Sequence, residues 1–283
     1  MHFCIFLASA LKKGLKSFDR KRFVCYNVGM KILRLDNLDN FRDIANDSVR
    51  EGVLLRSAKI DNLTDEGRDL LVNKYNVKTI IDLRTLSETK EQIAPDGVEF
   101  FNVSMTKTPI FGITKYKKGF VNFKNILNML FVVRHVPSIP ELYENLITPD
   151  TAEAWQQLFD VILNAPDGAI LMYCEQGKDR TGLLCAFIEY CLGYSEREIV
   201  ADYVETSKFT APRGERTYKK ARRFLLSKKF AGKLRDIYRA DENDILSVFE
   251  KVKARYGSIE EFLHTVCGMT EEKIVALNKK FKK

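Results

Sequence analysis

Residues 169–182 read Ala169-Ile170-Leu171-Met172-Tyr173, then Cys174-Glu175-Gln176-Gly177-Lys178-Asp179-Arg180-Thr181-Gly182, and run on into LLCAFIEYCL. Five apolar residues after the turn signal Pro166-Asp167-Gly168 predict a buried strand, and the apolar run from Leu183 predicts a helix. Between them lies a polar loop with a cysteine and, six positions later, an arginine. At such a junction the N–H groups of the loop and of the first helical turn converge on an anion. Gly177 lets the loop turn without a Cβ. Arg180 matches two phosphate oxygens with its planar fork, and the positive field favours the thiolate of Cys174. A thiolate facing a bound phosphate is a nucleophile for phosphoryl transfer. The other common phosphate loop, GxxxxGK[ST], needs Gly at 172 and Ser or Thr at 179, so Met172 and Asp179 exclude it. A plainer reading makes Cys174 a small buried hydrophobe, as we read Cys185 and Cys191 on the following helix. The company Cys174 keeps sets it apart from them.

Upstream, short strands alternate with helices. Val53–Ser57 reads as a strand, and Thr64 caps a helix through Tyr75 with acidic residues in its first turn. Val77–Leu83 (VKTIIDL) is a β-branched, buried strand, and Gly97 opens another, VEFFNVSM. This order predicts an α/β fold, a central and mostly parallel sheet flanked by helices. Residues 106–147 have a different texture, with Pro109, Pro137, Pro140 and two apolar helical stretches. They read as a helical lid-like insertion or as an ordinary crossover helix with extra length. Beyond 181 the chain reads as helical to its end, with S-x-x-E caps at Ser195/Glu198 and Ser258/Glu261 and a helix stop at Gly193. Residues 195–283 form this helical C-terminal part of a single domain spanning 30–283. Residues 1–29 read as an extension outside the fold, or as a weak anchor or helical appendage. Their apolar run Phe3–Leu11 is too short to span a bilayer and lacks a preceding basic region.

The chain has 283 residues, 45% hydrophobic and 30% charged, which excludes a mainly disordered protein. Six cysteines without a CxxC pair point to a reducing compartment, with the cytoplasm as default and export without a recognisable signal as the alternative. Three histidines allow no zinc-ligand spacing, so no metal and no cofactor are expected. The net charge of +8 is local: from Pro212 to Arg239 eleven basic residues stand against Glu215 and Asp236. The remaining 35 basic and 36 acidic residues nearly cancel. The segment reads as the solvated face of an amphipathic helix or as a landing surface for phosphorylated protein or anionic membrane. No nucleic-acid-binding signature accompanies it, and no nucleic acid partner is expected.

The CxxGKDRTG loop resembles that of the cysteine-dependent protein tyrosine phosphatases, and more narrowly of the atypical branch typified by a secreted mycobacterial tyrosine phosphatase. Asn40-Phe41-Arg42-Asp43, Leu55-Arg56-Ser57, Leu63-Thr64-Asp65-Glu66, Ile81-Asp82-Leu83-Arg84, Tyr256-Gly257-Ser258 and Gly268-Met269-Thr270 stand in the order that branch shows. The resemblance covers roughly residues 33–280. It implies the cysteine-phosphatase fold and hydrolysis of phosphotyrosine, with phosphoserine and phosphothreonine as further substrates, through a phosphocysteine on Cys174. Arg180 and the loop residues Glu175, Gln176, Gly177, Lys178, Asp179 and Thr181 would bind the phosphate, and the Thr181 hydroxyl would donate to the sulfur. Lys178 adds a second cation, which also fits phosphoinositide substrates. For the general acid, Asp82 at a strand end is the first candidate and Asp179 the second. Against these roles stand a salt bridge of Asp82 with Arg84 or Arg42, and a brace of Asp179 on Lys178 or Arg180. Asp43 and Arg56 read as scaffold. The chain departs from the branch at Tyr173, where His is usual, and at Glu175, whose charge opposes a thiolate. A lipid phosphatase at anionic membranes and a weakly active phosphate-binding module are the alternative functions.

Overall fold

The computed structural model describes residues 31–89, 94–106, 138–223 and 227–283. The extension at 1–29 and most of the insertion read at 106–147 lie outside these residues. Five strands form one sheet in the order β1-β2-β5-β3-β4: β1 Arg42–Asp43, β2 Leu54–Ser57, β3 Val77–Asp82, β4 Glu99–Asn102 and β5 Ala169–Tyr173. β2, β5, β3 and β4 are parallel, and β1 pairs antiparallel with β2 at the edge. The expected mostly parallel α/β sheet is therefore the one found. Ahead of β1, Ile32 makes an isolated bridge to Arg42.

Ten α-helices are described: α1 Asp65–Asn73, α2 Ile139–Glu144, α3 Ala152–Asn164, α4 Asp179–Cys191, α5 Glu196–Glu205, α6 Ser207–Arg223, α7 Lys228–Asp236, α8 Glu242–Tyr256, α9 Ile259–Thr265 and α10 Glu271–Phe281. Their starts follow from capping chemistry. Thr64 accepts from the Gly67 amide at 3.1 Å to begin α1, and Ser195 with Glu198 forms a reciprocal box that begins α5. Gly193 ends the turn after α4 in a left-handed conformation.

Alternation along β5 divides the core. Ala169, Leu171 and Tyr173 pack with Leu63 and Leu71 of the α1 side. Ile170, Met172 and Cys174 belong to the larger cluster built on α3, α4 and the C-terminal helices. Trp155 anchors that cluster, edge-on to Phe187 and Phe262. Helix α4 is buried on nearly every side, Glu189 included. It holds the loop before it at the C-terminal edge of the sheet, where parallel sheets gather their sites.

Candidate active site

Cys174 directly follows β5 and is almost wholly buried. The loop after it is shaped from behind. Asn40, itself in a left-handed conformation, donates Nδ2 to the carbonyls of Gln176 and Gly177, both at 3.0 Å. Arg56 adds a bond of 2.6 Å to the Gly177 carbonyl. With these carbonyls turned back, no acceptor faces the amides of Gln176, Gly177 and Lys178 among the described residues. They lie immediately ahead of the first turn of α4, at the junction where an anion site was expected. Gly177 has φ +64°, and a Cβ there would overlap the Ser57 carbonyl oxygen.

A buried network supports this arrangement. Arg42 and Arg56 are register partners across β1 and β2. Both reach Asp202 of α5: Arg42 Nε donates at 3.0 Å, and Arg56 pairs with the other carboxylate oxygen. Arg42 also donates to Asn40 Oδ1, so the charge of Asp202 is relayed through both arginines to the loop carbonyls. Burial would raise the pKa of Asp202, but Arg42 and Arg56 outweigh it and hold the carboxyl below its usual range. Glu189 of α4, fully buried beside this group, is pushed well above its usual range by burial and then by Asp202.

Arg180, the second residue of α4, is buried and donates from both terminal nitrogens to Glu88, at 2.7 Å and 2.9 Å, and to the Leu83 carbonyl. Burial opposes its charge, while Cys174 and Glu88 beside it raise its pKa. Cys174 acts in the same sense on Arg56, so two guanidiniums lie within electrostatic reach of the sulfur. Thr181 Oγ1 is buried and has no partner among the described residues.

The two candidate acids differ sharply. Asp82 is fully buried and paired in register with Tyr173 on the α1 side, the opposite face from Cys174. It accepts from the amide of Arg84, from the Arg84 guanidinium and, at 3.0 Å, from the Tyr173 hydroxyl. The salt bridge weighed against its acid role is thus the one it makes. Asp179 is buried but for about a tenth of its side chain, and its Oδ1 accepts from Tyr143 Oη at 2.7 Å and pairs with the Lys178 ammonium at 3.0 Å. Lys178 brings its charge to the loop, but Nζ also donates to the carbonyls of Ile237 and Arg239, at 2.6 Å and 3.2 Å. Its ammonium therefore ties the loop to the end of α7.

Both departures from the family pattern have a structural account. Tyr173 is not a His substitute; its hydroxyl serves Asp82 and its ring lies under the Arg84 guanidinium. Glu175 is paired with Lys59 at 3.2 Å, so its charge does not stand alone beside Cys174. Lys59 also pairs with Asp61, which holds Arg84, and the chain of charges runs from the loop back to Asp82. Sequence reasoning missed Glu88, Tyr143 and Asp202. Nothing local marks Glu88 within LSETKE, and Tyr143 lay in the segment read only for texture; Asp202 sits three residues from Ile199 on an amphipathic helix, where a buried acid was the one available signal.

A family model described as the tyrosine phosphatase family matches residues 33–283. A tyrosine-protein phosphatase of Nostoc commune is 25% identical over 231 residues, which cover 79% of this chain and 72% of that one. The triple specificity protein phosphatase PtpB of Mycobacterium tuberculosis is 26% identical over 194 residues, covering 63% of this chain and 70% of that protein. Among solved structures, the core catalytic domain of the PP-IP phosphatase SIW14 from S. cerevisiae aligns over 78% of this chain and 95% of its own, at 16% identity and a TM-score of 0.35.

Proposed function

The chain belongs to the tyrosine phosphatase family, and from that membership we propose that Cys174, Arg180 and Asp179 carry its hydrolysis of phosphate monoesters. The observation that carries this reading is Cys174 at the mouth of a loop with turned-back carbonyls and open amides, beside an arginine whose orientation Glu88 fixes. The Cys174 sulfur attacks phosphorus, the S–P bond forms, and the P–O bond to the leaving group breaks. Arg180 and the amides of residues 175–181 hold the equatorial oxygens, and Thr181 donates its unpartnered hydroxyl to the sulfur. Water then breaks the S–P bond and releases phosphate.

The acid role goes to Asp179. Asp82 lies on the other face of the sheet and accepts hydrogen bonds at both oxygens, which suits a brace for Arg84. Asp179, buried but with its Oδ2 free of donors among the described residues, stands at the start of α4 within the loop itself. Lys178 acts on phosphate through its amide, since its ammonium is used on the end of α7. Residues 30–283 form one phosphatase domain around the single sheet, and the free cysteines 174, 185, 191 and 267 fit a reducing, cytoplasmic setting.

Phosphotyrosine is the primary substrate, with phosphoserine and phosphothreonine accepted, a breadth that the name of the mycobacterial relative also carries. A second reading, phosphoinositide hydrolysis at an anionic membrane, is favoured by one feature. The hairpin α6–α7 exposes Arg213, Arg216, Lys219, Lys220, Lys228 and Lys229, and its end is the segment that Lys178 grips. No described helix is long and apolar enough to cross a membrane, so contact would be at the surface. Hydrolysis of p-nitrophenyl phosphate by the wild type and by Cys174→Ser tests the mechanism, and equal rates would overturn it. Phosphopeptides compared with phosphoinositides in vesicles then decide the substrate class.

A further inference from the structure

We infer that Tyr143 is a positioning residue for proton transfer, fixing which oxygen of Asp179 carries the proton. This rests on the acid role proposed for Asp179. The Tyr143 hydroxyl stands 2.7 Å from Asp179 Oδ1 and 2.7 Å from the Tyr203 hydroxyl. A phenol has one proton to donate and a carboxylate only accepts, so Tyr143 donates to Asp179 and Tyr203 donates to Tyr143. The chain of hydroxyls has one direction.

Lys178 Nζ forms an ion pair with the same Oδ1 at 3.0 Å. That oxygen therefore takes the phenol's hydrogen bond and faces the cation, while no donor meets Oδ2 among the described residues. A proton on neutral Asp179 belongs on Oδ2, because on Oδ1 it would stand against the ammonium and reverse the hydroxyl chain, leaving the buried Tyr203 proton with no acceptor among the described residues. Tyr143 and Tyr203 are fully buried and their rings meet edge-on, 6.4 Å between centroids, so neither hydroxyl can swing away. Burial raises both phenols well above their usual range, which keeps them protonated donors. The pair comes from helices α2 and α5, so the proton's place is set by parts of the chain remote from the loop.

In the reaction, Oδ2 gives its proton to the departing oxygen as the P–O bond breaks and the S–P bond forms. Tyr143 and Lys178 then stabilise the carboxylate left behind. In the second step Oδ2 takes a proton from the attacking water as the S–P bond breaks.

The test compares kcat/KM for phenyl phosphate, a poor leaving group, with that for p-nitrophenyl phosphate, a good one. It uses Tyr143→Phe, Tyr203→Phe, Asp179→Asn and the Tyr143→Phe/Asp179→Asn pair. Tyr143→Phe should cost phenyl phosphate about tenfold and p-nitrophenyl phosphate less than about twofold. Tyr203→Phe, which removes the donor behind, should show the same preference at roughly threefold and serves if Tyr143→Phe does not fold. The double variant should match Asp179→Asn alone. If the tyrosine variants slow both substrates equally while Asp179→Asn still discriminates, the inference fails and the acid assignment stands. If Asp179→Asn itself slows both equally, the acid assignment falls and the inference with it.

Discussion

Glu88 grips both terminal nitrogens of Arg180, 92 residues away in sequence, and is itself held by the amide and hydroxyl of Thr85, each at 3.0 Å. Its turn is anchored on the other side by Arg84, which Asp61 and Asp82 hold. The orientation of Arg180 is thus set by the strand β3 side of the sheet. Glu88→Gln keeps the shape and removes the charge. We expect kcat/KM for p-nitrophenyl phosphate to fall at least about tenfold, with weaker inhibition by inorganic phosphate. Breaking a buried pair from one side costs about 3–5 kcal/mol, so the melting temperature should fall as well. Unchanged phosphate inhibition would show that Arg180 needs no such hold.

Gly177→Ala tests the loop's backbone. The left-handed φ and the overlap with the Ser57 carbonyl leave no room for a methyl group, and the obstacle is main chain. Activity should fall by two orders of magnitude or more, with a loss of stability of roughly 1–3 kcal/mol in urea. Near-normal turnover would mean that the loop can rebuild.

Asp82→Asn separates brace from acid. Arg84 would lose its innermost charge partner while Asp61 remains. The variant should melt earlier and lose similar fractions of kcat/KM for phenyl phosphate and p-nitrophenyl phosphate. A loss confined to phenyl phosphate would return the acid role to Asp82.

Burial pushes the Asp244 carboxyl up to about 6, against the pull of the Asp241 amide and of Lys178. The native state then holds this proton more tightly than the unfolded chain, whose value is near 3.8. The stability this gives is complete below pH 3.8 and is lost as pH rises through 6. Asp244→Asn should therefore match the wild type at pH 3.5 and exceed it at pH 7.5 in urea denaturation. Equal stability at both pH values would contradict the shift.

The basic hairpin makes the membrane reading testable apart from chemistry. Lys219, Lys220, Lys228 and Lys229 are exposed and distant from Cys174 in sequence. Changing all four to Glu should leave p-nitrophenyl phosphate hydrolysis within about twofold. Each basic residue near an anionic surface contributes about 1 kcal/mol, so turnover of phosphoinositide in vesicles should drop more than tenfold. Equal vesicle turnover would remove the membrane from the reading.

Much of this was legible in residues 169–182. An apolar strand, a polar loop and an apolar helix are local patterns, and local patterns fix element type and the place of the loop at the sheet edge. The cysteine, the glycine and the arginine were equally readable, because their chemistry depends on side chains in one short stretch. The confinement of charge to 212–239 was a matter of counting.

What the sequence could not decide was which carboxylates face the loop. Asp82 and Asp179 look alike as letters. Strand parity sends Asp82 to the face of Tyr173, and the start of α4 keeps Asp179 with the loop. Glu88 and Tyr143 reach loop residues 92 and 36 positions away, and Asp202 acts through Arg56, 146 positions away, by pairings that exist only once the sheet register and helix packing are set. Local periodicity carries no information about such partners. The reading of Cys174 and its loop thus came from the sequence itself, whereas the hold of Glu88 on Arg180 and of Tyr143 on Asp179 exists only through tertiary contacts.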